Sequence, residues 1–585
     1  MTTLPPEPEY VPPTPASAVG RVMAAFDRIA EVDRPEVWIT LRSAEDVLVD
    51  AKAVDERVRA GERPPLAGLL LAVKDNVDVA GLPTTAGCPA FAYTPEVSAT
   101  AVRRLTQAGA VVLGKTNLDQ FATGLVGSRS PYGAVRGAKD PLKVSGGSSS
   151  GSAVAVALEL VDIAIGTDTA GSGRVPAAFN GIVGLKPTLG LVPKTGVVPA
   201  ARSYDCVTIF ARKLTTAQLA LAEMTGPDAD DPQSREWPDS VRLSAGEHPR
   251  VAIPDDKNLE PLSPSAHRAF AAAVASLRAS GAVLTTVDIS PLLDAAKLLY
   301  DGALVAERYA AVGEFLREHP EDADPTVAKI ILAAGKLKAH DLAADQERLA
   351  QAKATAAKLL AGQDALVLPT VPEHPTLAQV EKDPVGVNKR LGTYTNFVNL
   401  LDMAGVAVPA GTADGGSFGL TVLTRAFDDQ IALDLAALFT GELAETPYPD
   451  KGIDLVVFGA HLRGQPLNHQ LVSLGARFAE EVLTAEEYRM VALPTTPPKP
   501  GLLHVGSGGA ALEGERWLLS PAALGKFLAG LPAPMLLGRI LLDDGTEAVG
   551  FYCDPSAAEN AKDITAFGGW RAYLRRVIAC RKDPG

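Results

Sequence analysis

Apolar residues recur at helical spacing over residues 19–30 and 44–60, and the pattern then shifts to short, continuous apolar runs. Two amphipathic helices are therefore followed by buried strands. Strands are expected at 69–79 (LLLAVKDNVDV), 111–114 and 163–165, with helices between them at 99–107 and 152–160. After a polar loop at 226–248 the alternation resumes, with strands at 251–253, 365–368, 406–409 and 418–423 and helices at 264–279, 340–360 and 431–438. Such alternation predicts an α/β fold, a mixed β-sheet core flanked by helices.

The stretch GELAETPYPDKG breaks this pattern with charge and proline and reads as a linker over 444–453. Residues 1–443 then form the first domain. Residues 454–585 form a second, small β-rich α+β domain, because DLVVFGAHL, YRMVALPTT and RILLDDGTEAVGFYC are short strands broken by glycine and proline turns.

Composition narrows the partners. A net charge of −14 over 585 residues, with no clustered Lys/Arg block, argues against a nucleic-acid partner. Four cysteines without CxxC spacing suggest neither a disulfide framework nor a zinc site, and no metal or cofactor is expected. The start, MTTLPPEPEYVPPTP, is acidic and proline-rich where a secretory signal is basic and then apolar, and no window of about 18 apolar residues occurs. A cytoplasmic chain that does not enter a membrane is the expectation.

The chemistry concentrates between Val144 and Thr188, rich in serine and glycine and free of histidine. Hydrolysing an amide needs a nucleophile, a base and donors aimed at the developing oxyanion. Ser172, in GTDTAGSGR after the apolar run IAIG, sits where a tight turn presents successive N–H groups, those of Thr169, Ala170, Gly171 and Ser172. Ser148, in GGSSSG, is placed to relay a proton between Ser172 and Lys74 if the three converge. Lys74 closes the run LLLAVK, and burial is the route by which its amine can become neutral enough to act as a base. Asp168 and Arg174 flank the nucleophile and are expected to pin the turn.

Gly146 through Thr188 resembles the signature of the amidase signature family. The resemblance implies Lys74 as base, Ser148 as relay serine preceded by a cis peptide bond, and Ser172 as acyl-enzyme nucleophile. It also shows two departures: Ala170 stands where a second glycine is usual, and Gly173 where a bulky aliphatic is usual. Those departures, with LYDGALVAERYAA at 299–311 and the further domain, resemble the branch of the family that hydrolyses allophanate, urea-1-carboxylate. That branch implies a small anionic amide substrate, ammonia release, a homodimer, and a separate urea carboxylase that makes the substrate. It also implies that Arg308 and Tyr300, eight positions apart and hence on one face of a helix, hold the carboxylate.

Three other readings compete. Gly147–Gly151 fits G-x-S-x-G and nominates Ser149, but RGAKDPLKVSG before it is not the buried strand an elbow needs. GAVVLGKT at 109–116 fits the P-loop expression, yet its apolar interior reads better as a strand. A broader amidase, or a component of an amidotransferase, shares the same chemistry, although a chain acting on transfer RNA should carry a basic face. In the second domain VFGAHLRGQPLNHQL has a strand, a glycine turn and a helix start, and nominates His461, Asn468 and His504. By the resemblance, that domain decarboxylates the dicarboxylated product of the first step; the plain alternative is a packing or dimerisation module.

Overall fold

The computed structural model describes residues 17–442 and 448–582. The proline-rich leader lies outside these residues, as does the start of the expected linker, 444–447. An eleven-stranded mixed sheet organises the larger part. Its strands are β1 (Trp38–Leu41), β2 (Leu70–Lys74), β3 (Val111–Thr116), β4 (Ile163–Asp168), β5 (Val183–Lys186), β6 (Cys206–Ala211), β7 (Arg250–Pro254), β8 (Val283–Val287), β9 (Ala365–Pro369), β10 (Met403–Ala413) and β11 (Gly416–Arg425). Their spatial order is 1-3-2-4-6-5-10-11-9-7-8.

β2 runs parallel to both β3 and β4, and β7 parallel to β8 and β9, while antiparallel pairs join these two patches. In the first patch β2, β3 and β4 are buried at every position, because helices cover both faces of a parallel stretch. That is why their sequences read as continuous apolar runs rather than alternating ones. The strand expected at 69–79 ends at Lys74; the chain then turns, with Val77 N–H donating to Lys74 O at 2.9 Å.

Two sequence motifs resolve as structure. Residues 111–116 of the P-loop expression are β3, paired on both sides, and Lys115 is buried against the Asp75 carboxylate at 3.1 Å. No N–H cradle for phosphate exists there. Ser149 exchanges hydrogen bonds with the backbone of Thr167 (Oγ to O at 3.0 Å, N to Oγ at 3.2 Å) and ties two loops together.

The small C-terminal part has its own core. Strands β12 (Ile453–Val457), β13 (Arg477–Leu483), β16 (Glu513–Leu519), β17 (Met535–Leu541) and β18 (Glu547–Cys553) form one sheet in the order 13-16-12-18-17. β14 (Tyr488–Leu493), β15 (Lys499–His504) and β19 (Lys562–Asp563) form a second, in the order 15-14-19. It docks on residues 239–243: Leu243 N–H donates to Gly475 O at 2.8 Å, and Ala522 N–H to Asp239 O at 3.0 Å. Among the described residues no helix is long and apolar enough to cross a membrane.

Candidate active site

Lys74 ends β2, and Thr167 and Asp168 end its parallel neighbour β4, so the sheet delivers an amine, a hydroxyl and a carboxylate to one edge. Lys74 Nζ lies 2.8 Å from Ser148 Oγ and 2.8 Å from Thr167 Oγ1, with no exposure to solvent. Burial brings its amine down from the ordinary lysine range to about 7. The carboxylates of Asp119, Asp168 and Asp205 oppose that fall, and the nearby Arg308 guanidinium reinforces it. Half of the amine is thus uncharged near neutrality, which is the state a base requires.

The serine loop is held from below by Asp119. Its N–H donates to Ser148 O at 3.1 Å, and its carboxylate accepts N–H bonds from Val126, Gly127 and Arg129 at 3.2, 3.0 and 2.9 Å. Gly147 lies so close to this carboxylate that a Cβ there would stand 2.0 Å from Asp119 Oδ2. The peptide between Gly147 and Ser148 is cis.

Ser172 sits on the turn between β4 and the helix Val175–Asn180. The turn is braced as expected. Asp168 Oδ1 accepts from Gly171 N and Asp168 Oδ2 from Gly173 N at 2.8 and 2.9 Å, while Arg174 Nη2 and Nε grip the same two oxygens at 2.9 Å. Burial alone would raise the Asp168 carboxyl; Arg174, Lys186 and the Gly173 N–H overcome it and hold it below the usual range. Asn399 closes the network by donating to Asp168 O at 2.7 Å and accepting from Arg174 at 3.1 Å.

This bracing changes the expected donor set. The Gly171 N–H points at Asp168, so it is withdrawn from an oxyanion, whereas among the described residues the N–H groups of Thr169, Ala170 and Ser172 have no acceptor. Ser172 Oγ likewise has no hydrogen-bond partner among the described residues. The Lys74–Ser148 hydrogen bond is made, and among the described residues none joins Ser148 to Ser172.

Arg308 and Tyr300 do meet, though not on one helix face. Arg308 lies in the helix Ala306–Glu318, and Tyr300 precedes a separate 3₁₀ turn, Ala303–Val305. The preceding helix ends at Lys297 and Gly302 is extended, and Asp345 Oδ2 accepts the Ala303 N–H at 2.6 Å where the chain turns again. Arg308 Nη2 donates to the Tyr300 hydroxyl at 3.0 Å, and Nη1 to Thr123 Oγ1 at 2.8 Å. The guanidinium is 1% exposed, its Nε has no partner, and no carboxylate among the described residues pairs with it. A buried cation without a paired carboxylate is costly.

Sequence reasoning missed Thr167, Asp119, Asn399 and Thr123. Thr167 was one of two threonines in GTDTAGSGR, and only the register of β4 against β2 selects it.

In the C-terminal part, His461 and Asn468 come together and His504 does not join them. Asn468 Nδ2 donates to His461 O at 2.9 Å; His461 Nε2 bonds Gln470 Oε1 at 2.9 Å, and its ring stacks on Phe551. Burial pushes the His461 imidazole below its usual pKa. His504 is half-exposed and pairs with Glu487 at 3.0 Å.

A buried lysine, two serines and free peptide donors at the carboxyl ends of parallel strands define an amide-hydrolase fold, and the chain belongs to the amidase family, whose model, described as Amidase, matches residues 21–433. A second model, Allophanate hydrolase C-terminal domain, matches residues 453–575. The solved structure of Kluyveromyces lactis allophanate hydrolase superposes with a TM-score of 0.85 at 38% identity, over 96% of this chain and 97% of that one. The urea amidolyase of Saccharomyces cerevisiae is 42% identical over 94% of this chain, which spans about a third of that protein (32%). A glutamyl-tRNA(Gln) amidotransferase polypeptide of Carboxydothermus hydrogenoformans is 34% identical over 72% of this chain and 93% of its own length.

Proposed function

We propose that the protein is an allophanate hydrolase that cleaves the terminal amide of urea-1-carboxylate by Ser172, Ser148 and Lys74. The observation that carries this reading is Arg308, a buried guanidinium beside the catalytic loops with no counter-charge among the described residues, which fits an amide that brings its own carboxylate. The amidotransferase polypeptide offers a second reading, but it covers 72% of this chain, while the allophanate hydrolase covers 96% of it.

In this mechanism Ser172 Oγ attacks the terminal carbonyl as its proton passes to Ser148, whose own proton passes to the neutral Lys74 amine. The N–H groups of Thr169, Ala170 and Ser172 receive the oxyanion. Collapse returns the proton to the leaving nitrogen, ammonia departs, and water releases the acyl group as a dicarboxylated amine. Arg308 holds the substrate carboxylate throughout, with the Tyr300 hydroxyl, whose oxygen already accepts from Arg308, free to donate its proton to the same group.

Because Lys74 works uncharged and its amine titrates near 7, kcat/KM should fall tenfold per unit as pH drops below about 7 and level off above it. A limb centred near pH 5, the signature of a carboxylate base, would contradict the assignment. The substrate assignment is tested by comparing ammonia release from allophanate, malonamide and acetamide. Allophanate should be preferred by at least about a hundredfold in kcat/KM, since only it offers Arg308 an anion.

The residues beyond the linker, with His461 and Asn468 as site, decarboxylate the dicarboxylated amine to carbamate. His461→Ala should leave the first ammonia unchanged and delay the second, so the early yield falls from about two towards one per allophanate. An unchanged yield would leave that part a packing module. The chain works as a cytoplasmic homodimer, supplied with its substrate by a separate urea carboxylase.

A further inference from the structure

A cavity of about 760 Å³ lies beside the site and is not lined by Lys74, Ser148 or Ser172. It opens between the helices Ser290–Lys297, Pro325–Ala333 and Gly386–Leu391, and its size is that of a ligand pocket. Two walls are shared with the catalytic site. Tyr300 lines the cavity while its hydroxyl meets Arg308, whose guanidinium carbon lies 5.1 Å from the centre of the Tyr300 ring. Thr393 and Asn396 also line it, and Thr395, between them in sequence, stands against the Ser172 turn so closely that a Cβ on Gly171 would lie 2.5 Å from its Oγ1. One side chain therefore separates the cavity from Arg308, and one residue separates it from the turn that carries the nucleophile.

The cavity's charge is uneven. Of its lining cations, Lys297 and Lys389 pair with Asp294 and Asp301, Arg390 pairs with Glu373 and Asp383, and Lys329, which has no ion pair among the described residues, is exposed to solvent that screens it. Arg129 differs in being both buried and without a carboxylate. It is 4% exposed, pairs with no carboxylate among the described residues, and spends two N–H groups on carbonyls, Thr123 O at 3.0 Å and Pro384 O at 2.8 Å; its Nε has no partner. Asn396 Oδ1, also on the lining, is buried without a hydrogen-bond partner among the described residues. Thr123 joins the two guanidiniums, since Arg129 holds its carbonyl and Arg308 its hydroxyl.

We propose that this cavity is the antechamber of the catalytic pocket, and that Arg129 is the docking cation that receives the substrate's carboxylate before Arg308 takes it past Tyr300. The inference rests on the anionic-amide reading and adds a route and a recruiting residue to it. In a chain of net charge −14 an approaching anion is repelled overall, so a local unneutralised cation inside a low-dielectric cleft is what raises its concentration at the entrance.

Ala333 lies exposed on the cavity lining, where a tryptophan would obstruct the space without entering the core. Ala333→Trp is expected to lower kcat/KM for allophanate at least about tenfold, with kcat at saturation within about twofold of wild type. Arg129→Gln is expected to lower kcat/KM several-fold at low ionic strength and to flatten its salt dependence, and Arg129→Lys to restore most of both. The proposal is overturned if Ala333→Trp leaves kcat/KM within twofold or lowers kcat equally. It is also overturned if the glutamine and lysine variants of Arg129 are equally impaired, which would leave Arg129 only its two carbonyl bonds. Should wild type prefer a neutral amide, the functional reading fails, and the Ala333→Trp comparison on that amide still reports whether the cavity is the route.

Discussion

Ser172→Ala is expected to reduce ammonia release from allophanate by about four to six orders of magnitude, with Lys74→Met and Ser148→Ala in the same range. The magnitude follows from the arrangement. Lys74 has a single serine partner, and neither serine has a histidine beside it, so loss of any member leaves no alternative path for the proton. Members of such a unit are non-additive, and the double variant Lys74→Met/Ser172→Ala should be scarcely slower than either single one. Multiplying losses would show that the residues act separately. The residual rate belongs to the free N–H groups of Thr169, Ala170 and Ser172, which these substitutions leave in place.

Arg308→Ala should cost two to three orders of magnitude in kcat/KM for allophanate, or about 3–4 kcal/mol, because it strands the substrate carboxylate in a buried site. Acetamide, which has no carboxylate, should lose little. The variant should melt no lower than wild type, since the guanidinium it removes has no counter-charge among the described residues to leave unpaired. A second consequence separates this residue from a purely steric one. Arg308 helps to keep Lys74 uncharged, so removing it lets the amine rise and moves the acid limb of the rate profile to higher pH. Equal losses for allophanate and acetamide would place Arg308 in the fold rather than in recognition.

Much of this site was legible because burial leaves its mark on sequence. β2, β3 and β4 are covered on both faces, and their runs LLAVK, VVLGKT and IAIGTD could be read as strands with little ambiguity. The helix at 264–279 matched to the residue, since Ser263 caps it and Pro264 starts it. Lys74 stood out as a charge at the end of an apolar run. What the sequence could not supply was order in space. Nothing local says that β2 lies between β3 and β4, and that order is what brings Thr167 to Lys74. The Gly171 N–H was expected to serve the oxyanion because adjacent donors look equivalent in a string; only the fold reveals that Asp168 claims it. Tyr300 and Arg308 were assigned one helix by spacing, whereas the chain leaves helix after Lys297 and is extended at Gly302, where Asp345, forty-two positions after Ala303, accepts the Ala303 N–H. Similarly, His504 seemed as good a candidate as His461, and the strand it ends carries it instead to Glu487 at the surface.

The whole mechanism turns on Ser172, and neither Ser148 nor Ser149, becoming acylated. Enzyme turning over allophanate is quenched in acid and its peptides are mapped by mass. An adduct is expected on Ser172 alone, absent from Ser172→Ala and strongly diminished in Lys74→Met. An adduct on Ser148 or Ser149, or one that persists at full yield in Ser172→Ala, would contradict the mechanism.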